Sequence, residues 1–263
     1  MKWTAAKIKA LKGERKIPVL TAYDALTASL VDGADIPVVL VGDSLGMTVL
    51  GYETTLPVSM DEMLHHTTAV SRGAENALVI ADMPFMSYQP SIEMGLENAG
   101  RFIKEAHADA VKIEGGAVRA ELIEAMVANG VPVLGHIGLT PQSIKEMGGY
   151  KVQGKTSEQA RQLMDDAMAV EQAGAFAIVL ECVPAELGEM ISNALSIPTI
   201  GIGAGVGCDG QVLVFTDLLG ISGEPVPRFV KKYADLNPLI AEALSVYKAE
   251  VESGAFPTDE QTY

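Results

Sequence analysis

Short runs of β-branched and other apolar residues recur along the chain, and segments with helical periodicity separate them. This alternation is typical of parallel strands joined by crossover helices, because such strands are buried on both faces and read as continuous apolar runs. Eight parallel strands are the number that closes an α/β barrel. The chain has eight such runs, at residues 17–24, 38–43, 77–84, 110–115, 131–138, 176–183, 198–203 and 211–215.

The length of the chain supports a single barrel. Its 263 residues, 48% of them hydrophobic, agree with the ~250 residues of a typical (β/α)8 barrel. We therefore predict an α/β fold, a (β/α)8 or TIM barrel, as one domain over residues 1–263. Two segments exceed the minimal barrel. Residues 1–16 predict an extra N-terminal helix, and residues 224–263 predict a helical C-terminal tail with its best pattern at 236–251.

Capping signals mark the ends of several predicted helices. Ser59 with Glu62, and Thr156 with Gln159, have the spacing of a capping box at a helix start. Gly130 and Gly174 stand where two helices should end.

The formal net charge of −15 at pH 7 bears on the partners of the protein. An acidic surface repels phosphate backbones and anionic lipids, so neither nucleic acid nor membrane is an expected partner. No apolar stretch approaches the ~18 residues of a membrane span, and the first residues lack the apolar core of a secretion signal. The two cysteines, Cys182 and Cys208, lack zinc or disulfide spacing. We expect a soluble, cytoplasmic protein.

Acidic residues stand at the ends of three neighbouring runs: Asp43, Asp82 and Glu114. In a parallel barrel these ends meet at one mouth, where the functional groups gather. Three carboxylates at such short distances repel one another unless a cation or protons lie between them. The cluster therefore predicts a hard divalent ion such as Mg²⁺. A 2-oxo acid could add its carboxylate and ketone oxygens. The alternative is that each acid caps the following helix.

Two further residues extend this cluster. Lys112 precedes Glu114 by two positions, so both side chains point to the same face of a strand. An ammonium group there could bind a substrate carboxylate or an enolate oxygen; the alternative is a structural ion pair with one of the acids. His136 ends the fifth run and could bind substrate or carry a proton, although a lone histidine is as often a core residue.

Glu181 ends the sixth run. A carboxylate that faces a bound 2-oxo acid can remove a proton from the carbon next to the ketone. Glu181 is therefore the candidate general base.

The residues at the run ends belong to longer motifs. These are Thr21-Ala22-Tyr23-Asp24, Val41-Gly42-Asp43-Ser44, Ala81-Asp82-Met83-Pro84, Val111-Lys112-Ile113-Glu114, Gly135-His136-Ile137-Gly138-Leu139-Thr140-Pro141-Gln142 and Leu180-Glu181-Cys182-Val183. Over roughly residues 17–230, the motifs together resemble the ketopantoate hydroxymethyltransferase family of the phosphoenolpyruvate/pyruvate barrel superfamily.

This resemblance implies an activity and a set of roles. The implied reaction transfers a hydroxymethyl group from the co-substrate 5,10-methylenetetrahydrofolate to 3-methyl-2-oxobutanoate, giving 2-dehydropantoate and tetrahydrofolate in pantothenate biosynthesis. The resemblance also implies that the protein forms homodecamers. It further implies that Glu181 is the catalytic base. Mg²⁺ is held by Asp43, Asp82 and Glu114, and the oxo acid is bound by Asp43, Ser44, Asp82, Lys112 and His136.

Three other functions remain open on the residues alone. Lys112 could form a Schiff base in a metal-independent aldolase. The metal site could instead serve a Mg²⁺-dependent lyase acting on a related 2-oxo acid. A noncatalytic oligomeric barrel could hold a structural cation in the same acidic cluster.

Overall fold

The predicted barrel is confirmed by the computed structural model, which describes residues 2–223 and 226–263. Its eight strands are all parallel, each pairs with the next, and the last pairs with the first, so that the sheet closes. The strands are β1 Ile17–Thr21, β2 Val38–Val41, β3 Leu78–Asp82, β4 Ala110–Glu114, β5 Val133–Gly138, β6 Ala177–Glu181, β7 Thr199–Ile202 and β8 Gly210–Leu213.

Several strands are shorter than the sequence runs predict, mostly at their carboxyl ends. β1 leaves the ladder after Thr21, whereas its run extends to residue 24, and β2 ends at Val41, two residues before Asp43. The polar residues that follow each strand contribute side chains to the mouth of the barrel rather than hydrogen bonds to the ladder.

The helices begin at the predicted caps. Ser59 Oγ accepts from the backbone N–H of Glu62 at 3.2 Å, and the Glu62 side chain accepts from the backbone N–H of Ser59 at 2.7 Å. Thr156 and Gln159 form a second capping box. The helices are α1 Ala5–Lys9, α2 Ala25–Gly33, α3 Leu45–Thr48, α4 Met60–Gly73, α5 Ile92–Lys104, α6 Ala120–Ala128, α7 Ile144–Met147, α8 Ser157–Gln172, α9 Ala185–Ala194, α10 Phe215–Leu218 and α11 Leu236–Ser253.

The interior of the barrel is filled by apolar side chains, and a cavity among them has a volume of about 10 Å³. Ile8 of the predicted N-terminal helix packs with Ile17, Val38 and Leu78, the first residues of three strands. Helix α1 therefore covers the amino-terminal end of the barrel, and the carboxyl end is left for function.

The chain forms two compact units, Met1–Val214 and Phe215–Tyr263. The first contains the barrel and α1 to α9. The second contains α10 and the predicted helical tail, in which α11 ends at Gly254 in the left-handed conformation, with a φ of 74°. Met1, Glu224 and Pro225, which belong to the predicted terminal segments, lie outside the described residues. A single domain over residues 1–263 stays a prediction.

Within residues 2–223 and 226–263, no helix combines the length and the apolar character needed to cross a membrane.

The contact between α2 and α4 gives a test of the packing. A Cβ atom on Gly73, the last residue of α4, would overlap the backbone carbonyl of Ala25 at the start of α2. We expect Gly73→Ala to lower the free energy of unfolding by about 1–3 kcal/mol, the usual cost of overpacking. Urea denaturation followed by circular dichroism measures this.

Gly33→Ala is the matched control, because a Cβ at Gly33 would meet open space. Alanine in a helix is favoured over glycine by roughly 0.5–1 kcal/mol, so this variant should be as stable as the parent protein or more stable. Equal losses in the two variants would contradict the proposed close contact.

Candidate active site

Five buried polar side chains lie at the carboxyl ends of β2 to β5. They are Asp43, Asp82, Lys112, Glu114 and His136, and each is exposed by 5% or less. In the ladders, Asp82 is opposite Lys112 and Glu114 is opposite His136. The backbone N–H of Asp43 donates to Asp82 Oδ2 at 3.0 Å. The strand register thus gathers the residues that the sequence singled out into one cluster.

Lys112 lies at the centre of this cluster. Its Nζ is 3.1 Å from Asp82 Oδ1 and 3.7 Å from Glu114 Oε1, as the two-residue spacing of Lys112 and Glu114 predicts. Burial lowers the pKa of Lys112, but the carboxylates of Asp82, Glu114 and Asp43 outweigh burial and raise it. The side chain is therefore an ammonium ion. A Schiff-base nucleophile needs a lowered pKa instead, which argues against the aldolase alternative.

The three acids do not cap helices. The N-cap positions after β2, β3 and β4 belong to Ser44, Ser91 and Gly116. The capping alternative is therefore wrong, and the acids point into the mouth of the barrel.

The cluster carries more negative charge than Lys112 can balance. Burial, followed by the carboxylates of Asp82 and Glu114, raises the pKa of Asp43 to about 8. Burial also raises the pKa of Asp82, despite the Lys112 ammonium. Burial raises the pKa of Glu114 too, but the hydrogen bond from His136 and the charge of Lys112 outweigh it, so this pKa is lowered. Protons or a further cation must offset the remaining repulsion.

The oxygen atoms of the cluster fit a hard divalent cation in their chemistry. Asp82 Oδ1 and Glu114 Oε1 are buried and accept no well-directed hydrogen bond from the described residues, although Lys112 lies near both. Mg²⁺ usually takes one or two carboxylates and keeps several waters. Asp43 and Asp82 provide such a pair.

A complete cage of protein ligands is not preformed. Within residues 2–223 and 226–263, no three His, Cys, Asp or Glu side chains are arranged to hold a metal ion. The hydrogen bonds give the reason. Glu114 Oε2 accepts from the backbone N–H of Gln142 at 3.0 Å, and Asp43 Oδ2 accepts from the Gln142 side chain at 2.9 Å. Each acid therefore has one oxygen already engaged by the protein.

His136 connects Lys112 with Glu181. Its Nδ1 is 3.1 Å from Lys112 Nζ, and its Nε2 is 3.1 Å from Glu181 Oε2. Burial and the Lys112 charge lower the pKa of His136, but hydrogen bonds to Glu114 and Glu181 outweigh them and raise it to about 9. A protonated ring puts a positive charge 3.5 Å from Glu114 Oε1 and 3.1 Å from Glu181 Oε2, whereas a neutral ring can accept from Lys112. The ring can thus change its protonation state and keep polar partners.

Ser44 is held beside the acids by an aromatic hydroxyl. Tyr23 Oη and Ser44 Oγ are 2.8 Å apart, and Tyr23 is buried. Ser44 directly follows Asp43 and lies close to Gly42, where an added Cβ would be only 2.6 Å from Ser44 Oγ. The predicted position of Ser44 at the site is consistent with this geometry.

Gln142 is a site residue that the sequence reasoning missed. Its Nε2 donates both to Asp43 Oδ2 and to the carbonyl of Met83, at 2.9 Å each. Its Oε1 accepts from the Tyr88 hydroxyl at 2.8 Å, and that hydroxyl also accepts from the backbone N–H of Glu114 at 2.9 Å. A single buried amide thus fixes Asp43 and, through its own backbone and Tyr88, Glu114.

The sequence offers only a faint signal for Gln142. It stands in the motif 135–142, where Pro141 begins a short 3₁₀ turn just after β5. A proline at the start of a helical turn is common and carries no chemical information. Gln142 and Asp43 are far apart in the sequence, so the sequence alone does not indicate that they are in contact.

A side cleft of about 410 Å³ opens next to Glu114. Gln142 and Tyr88 belong to its wall, so that it adjoins the acidic cluster. Its other lining residues include Leu56, Phe85, Arg119 and Lys145.

Comparison with known sequences gives a consistent family. A sequence profile of the family described as ketopantoate hydroxymethyltransferase matches residues 2–259. The chain is 56% identical over 263 residues to the 3-methyl-2-oxobutanoate hydroxymethyltransferase of Syntrophus aciditrophicus, which covers 100% of this chain and 97% of that protein.

Comparison with solved structures gives the same architecture. A 2,3-dimethylmalate lyase, described as a PEP mutase/isocitrate lyase superfamily member, has a TM-score of 0.63 at 15% identity, covering 100% of this chain and 89% of the other. Phosphonopyruvate hydrolase in complex with oxalate and Mg²⁺ has a TM-score of 0.63 at 14% identity, covering 99% and 93%. At such identities the likeness supports the barrel fold alone.

The contacts of Gln142 predict a large effect on stability. Gln142→Ala leaves the buried Asp43 Oδ2 and the Tyr88 hydroxyl without their amide partner. Because an unsatisfied buried polar group costs about 1–3 kcal/mol, we expect a loss of that size in the free energy of unfolding. Chemical denaturation measures it.

Gln89→Ala is the control for this experiment. The half-buried Gln89 side chain donates to the same Gln142 Oε1 at 2.8 Å, but it contacts neither acid. Its loss should cost clearly less than the loss of Gln142. The assigned role of Gln142 fails if the two variants are equally stable.

Proposed function

The chain belongs to the ketopantoate hydroxymethyltransferase family and is a hydroxymethyltransferase of pantothenate biosynthesis, and we propose that it uses Mg²⁺ and 5,10-methylenetetrahydrofolate to convert 3-methyl-2-oxobutanoate into 2-dehydropantoate. The overall transfer consumes one water, which supplies the hydroxyl oxygen, and releases tetrahydrofolate. The observation that carries the proposal is a cluster across five strand ends, in which the partly buried Glu181 adjoins four buried side chains: Asp43, Asp82, Lys112 and His136.

Asp43, Asp82 and Glu114 would hold the metal ion in this proposal. Bound there, Mg²⁺ supplies a Lewis acid that withdraws charge from the ketone oxygen of the oxo acid. The paired Asp43 and Asp82, and the imperfectly paired Glu114 Oε1, support this assignment. Phosphonopyruvate hydrolase offers a parallel, because it has a similar fold and its solved structure is a complex with oxalate, a small dicarboxylate, and Mg²⁺.

The remaining residues act on the oxo acid. Lys112 provides a fixed positive charge for the substrate carboxylate and for negative charge that develops on the ketone oxygen. Ser44 and His136 donate hydrogen bonds to the substrate, which lies beside Asp43 and Asp82. These contacts orient the branched carbon of the substrate.

Glu181 is the proposed base. Hydrolysis of the donor's two C–N bonds by one water releases tetrahydrofolate, whose two nitrogens take the protons of the water, and leaves the one-carbon unit as formaldehyde. Glu181 accepts the proton from the branched carbon, the electron pair of that C–H bond attacks the formaldehyde carbon, and the carbonyl oxygen takes up a proton to become the new hydroxyl. Glu181 is only partly buried, whereas His136 beside it is fully enclosed. His136 orients the carboxylate through the 3.1 Å contact and can pass its proton onwards.

A coupled assay tests the activity directly. The purified protein is supplied with 3-methyl-2-oxobutanoate, methylenetetrahydrofolate and Mg²⁺, and 2-dehydropantoate is measured by mass spectrometry. We expect product only when all three are present. Product formation that continues without the folate donor would contradict the proposal.

Glu181→Gln tests the base. Exchange of the proton on the branched carbon with deuterium, followed by NMR without any folate, should slow by ~10²-fold or more, since a positioned general base contributes about that much. Glu186→Gln, which alters an exposed acid at the start of α9, should exchange at the parent rate. An unchanged rate in Glu181→Gln would remove this residue from the role.

Asp82→Asn tests the metal site. Calorimetric titration with Mg²⁺ should show binding to the parent protein and at least ~10-fold weaker binding to the variant, since changes in a metal site commonly cost that much. Asp61→Asn removes a carboxylate whose side chain is 89% exposed and should bind as the parent does. The metal assignment fails if the parent protein binds no Mg²⁺.

Assembly and location complete the proposal. We propose a cytoplasmic homo-oligomer, a decamer by the family resemblance. Large apolar side chains of α11 such as Leu239, Leu244 and Tyr247 are each more than half exposed, and a subunit contact would cover them. The free thiols of Cys182 and Cys208 suit a reducing compartment. Light scattering should give about ten times the chain mass of 27.7 kDa.

A further inference from the structure

We propose that the side cleft beside Glu114 binds the folate donor, and that Arg119 and Lys145 hold the carboxylates of the donor's glutamate tail. The inference rests on the proposed function and extends it, because it assigns residues to the second substrate. Nothing in the strand-end motifs pointed to either of these cations.

The position of the cleft is the first argument. It shares Glu114, Tyr88 and Gln142 with the acidic cluster. A molecule in the cleft therefore lies next to the acidic cluster, on the side of Glu114. Transfer between two substrates requires such adjacency, since the reacting carbons must approach within about 3–3.5 Å.

The size and lining of the cleft are the second argument. About 410 Å³ is within the range of small-molecule sites. Leu56 and Phe85 give it an apolar wall, and Phe85 is 37% exposed. A flat heterocycle can cover this surface.

The two cations of the cleft also lack acidic partners in the part of the chain that the structure describes. The Arg119 guanidinium lies over the Tyr88 ring, 5.6 Å from its centroid, and its buried Nε has no acceptor among the described residues. Within residues 2–223 and 226–263, neither Arg119 nor Lys145 forms an ion pair, and both cations line the cleft.

Unpaired cations of this kind attract an anion. A guanidinium already ordered on an aromatic ring loses little further freedom when a carboxylate binds. The protein carries a net charge of −15, so a donor with two free carboxylates needs local positive charge to approach. The tail of a folate supplies the matching negative groups.

The test compares two donors in the parent protein and in Arg119→Ala and Lys145→Ala. Methylenetetrahydrofolate carries the glutamate tail, and methylenetetrahydropteroate lacks it. We expect each variant to raise the KM for the folate donor about 10-fold, the effect of one charge-assisted contact, and to leave the KM for the pteroate donor nearly unchanged. Arg72→Ala and Lys104→Ala, which remove exposed cations from α4 and α5, are the controls and should behave as the parent does for both donors.

The donor-independent deuterium exchange separates the two possible failures. Exchange by the parent protein with no product from either donor would overturn the proposed function, whatever the variants do. Product formation with equal loss for both donors, or with no loss, would overturn the assignment of the tail to Arg119 and Lys145. Circular dichroism of each variant excludes unfolding as the cause.

Discussion

The site depends on a buried ammonium surrounded by acids. Lys112 touches Asp82, Glu114 and His136 within 3.7 Å, and all four side chains are enclosed at the mouth of the barrel. Its positive charge lowers the pKa values of Asp43 and Asp82, but burial and mutual repulsion still raise both above their ordinary values. A dication bound by the acids would add the positive charge that Lys112 alone does not supply. Lys112 thus prepares the site for the metal as well as for the substrate.

A second layer of neutral groups keeps the acids in place. Gln142 and Tyr88 offer hydrogen bonds that carry no charge, so they orient Asp43 and Glu114 without competing for them as Lys112 does. The barrel below is filled with apolar side chains and closed by α1, which leaves the mouth as the place where polar groups can be both buried and reached. Gln142 thus engages one oxygen of Asp43 and one of Glu114, while Glu114 Oε1 lies beside Lys112.

Much of this could be predicted from the sequence, because the signals are local. Apolar runs identify all eight strands, and a spacing of two residues puts Lys112 and Glu114 on one face. Strand ends were less predictable, because Asp43 and its neighbours belong to loops whose path depends on tertiary contacts. Gln142 was missed for the same reason: it acts across 99 residues of sequence on Asp43, and only the folded turn after β5 brings the two together. The sequence also could not show that Arg119 forms no ion pair with the described residues, because ion pairing depends on which side chains the fold brings close to the guanidinium.

The turn from Pro141 through α7 faces two ways. Gln142 reaches into the acidic cluster, while Ser143, Lys145 and Glu146, a few residues later, border the side cleft. One segment therefore borders both places. If the donor occupies the side cleft, any effect of one substrate on this segment changes the affinity for the other substrate, and by thermodynamic linkage the reverse effect has the same factor.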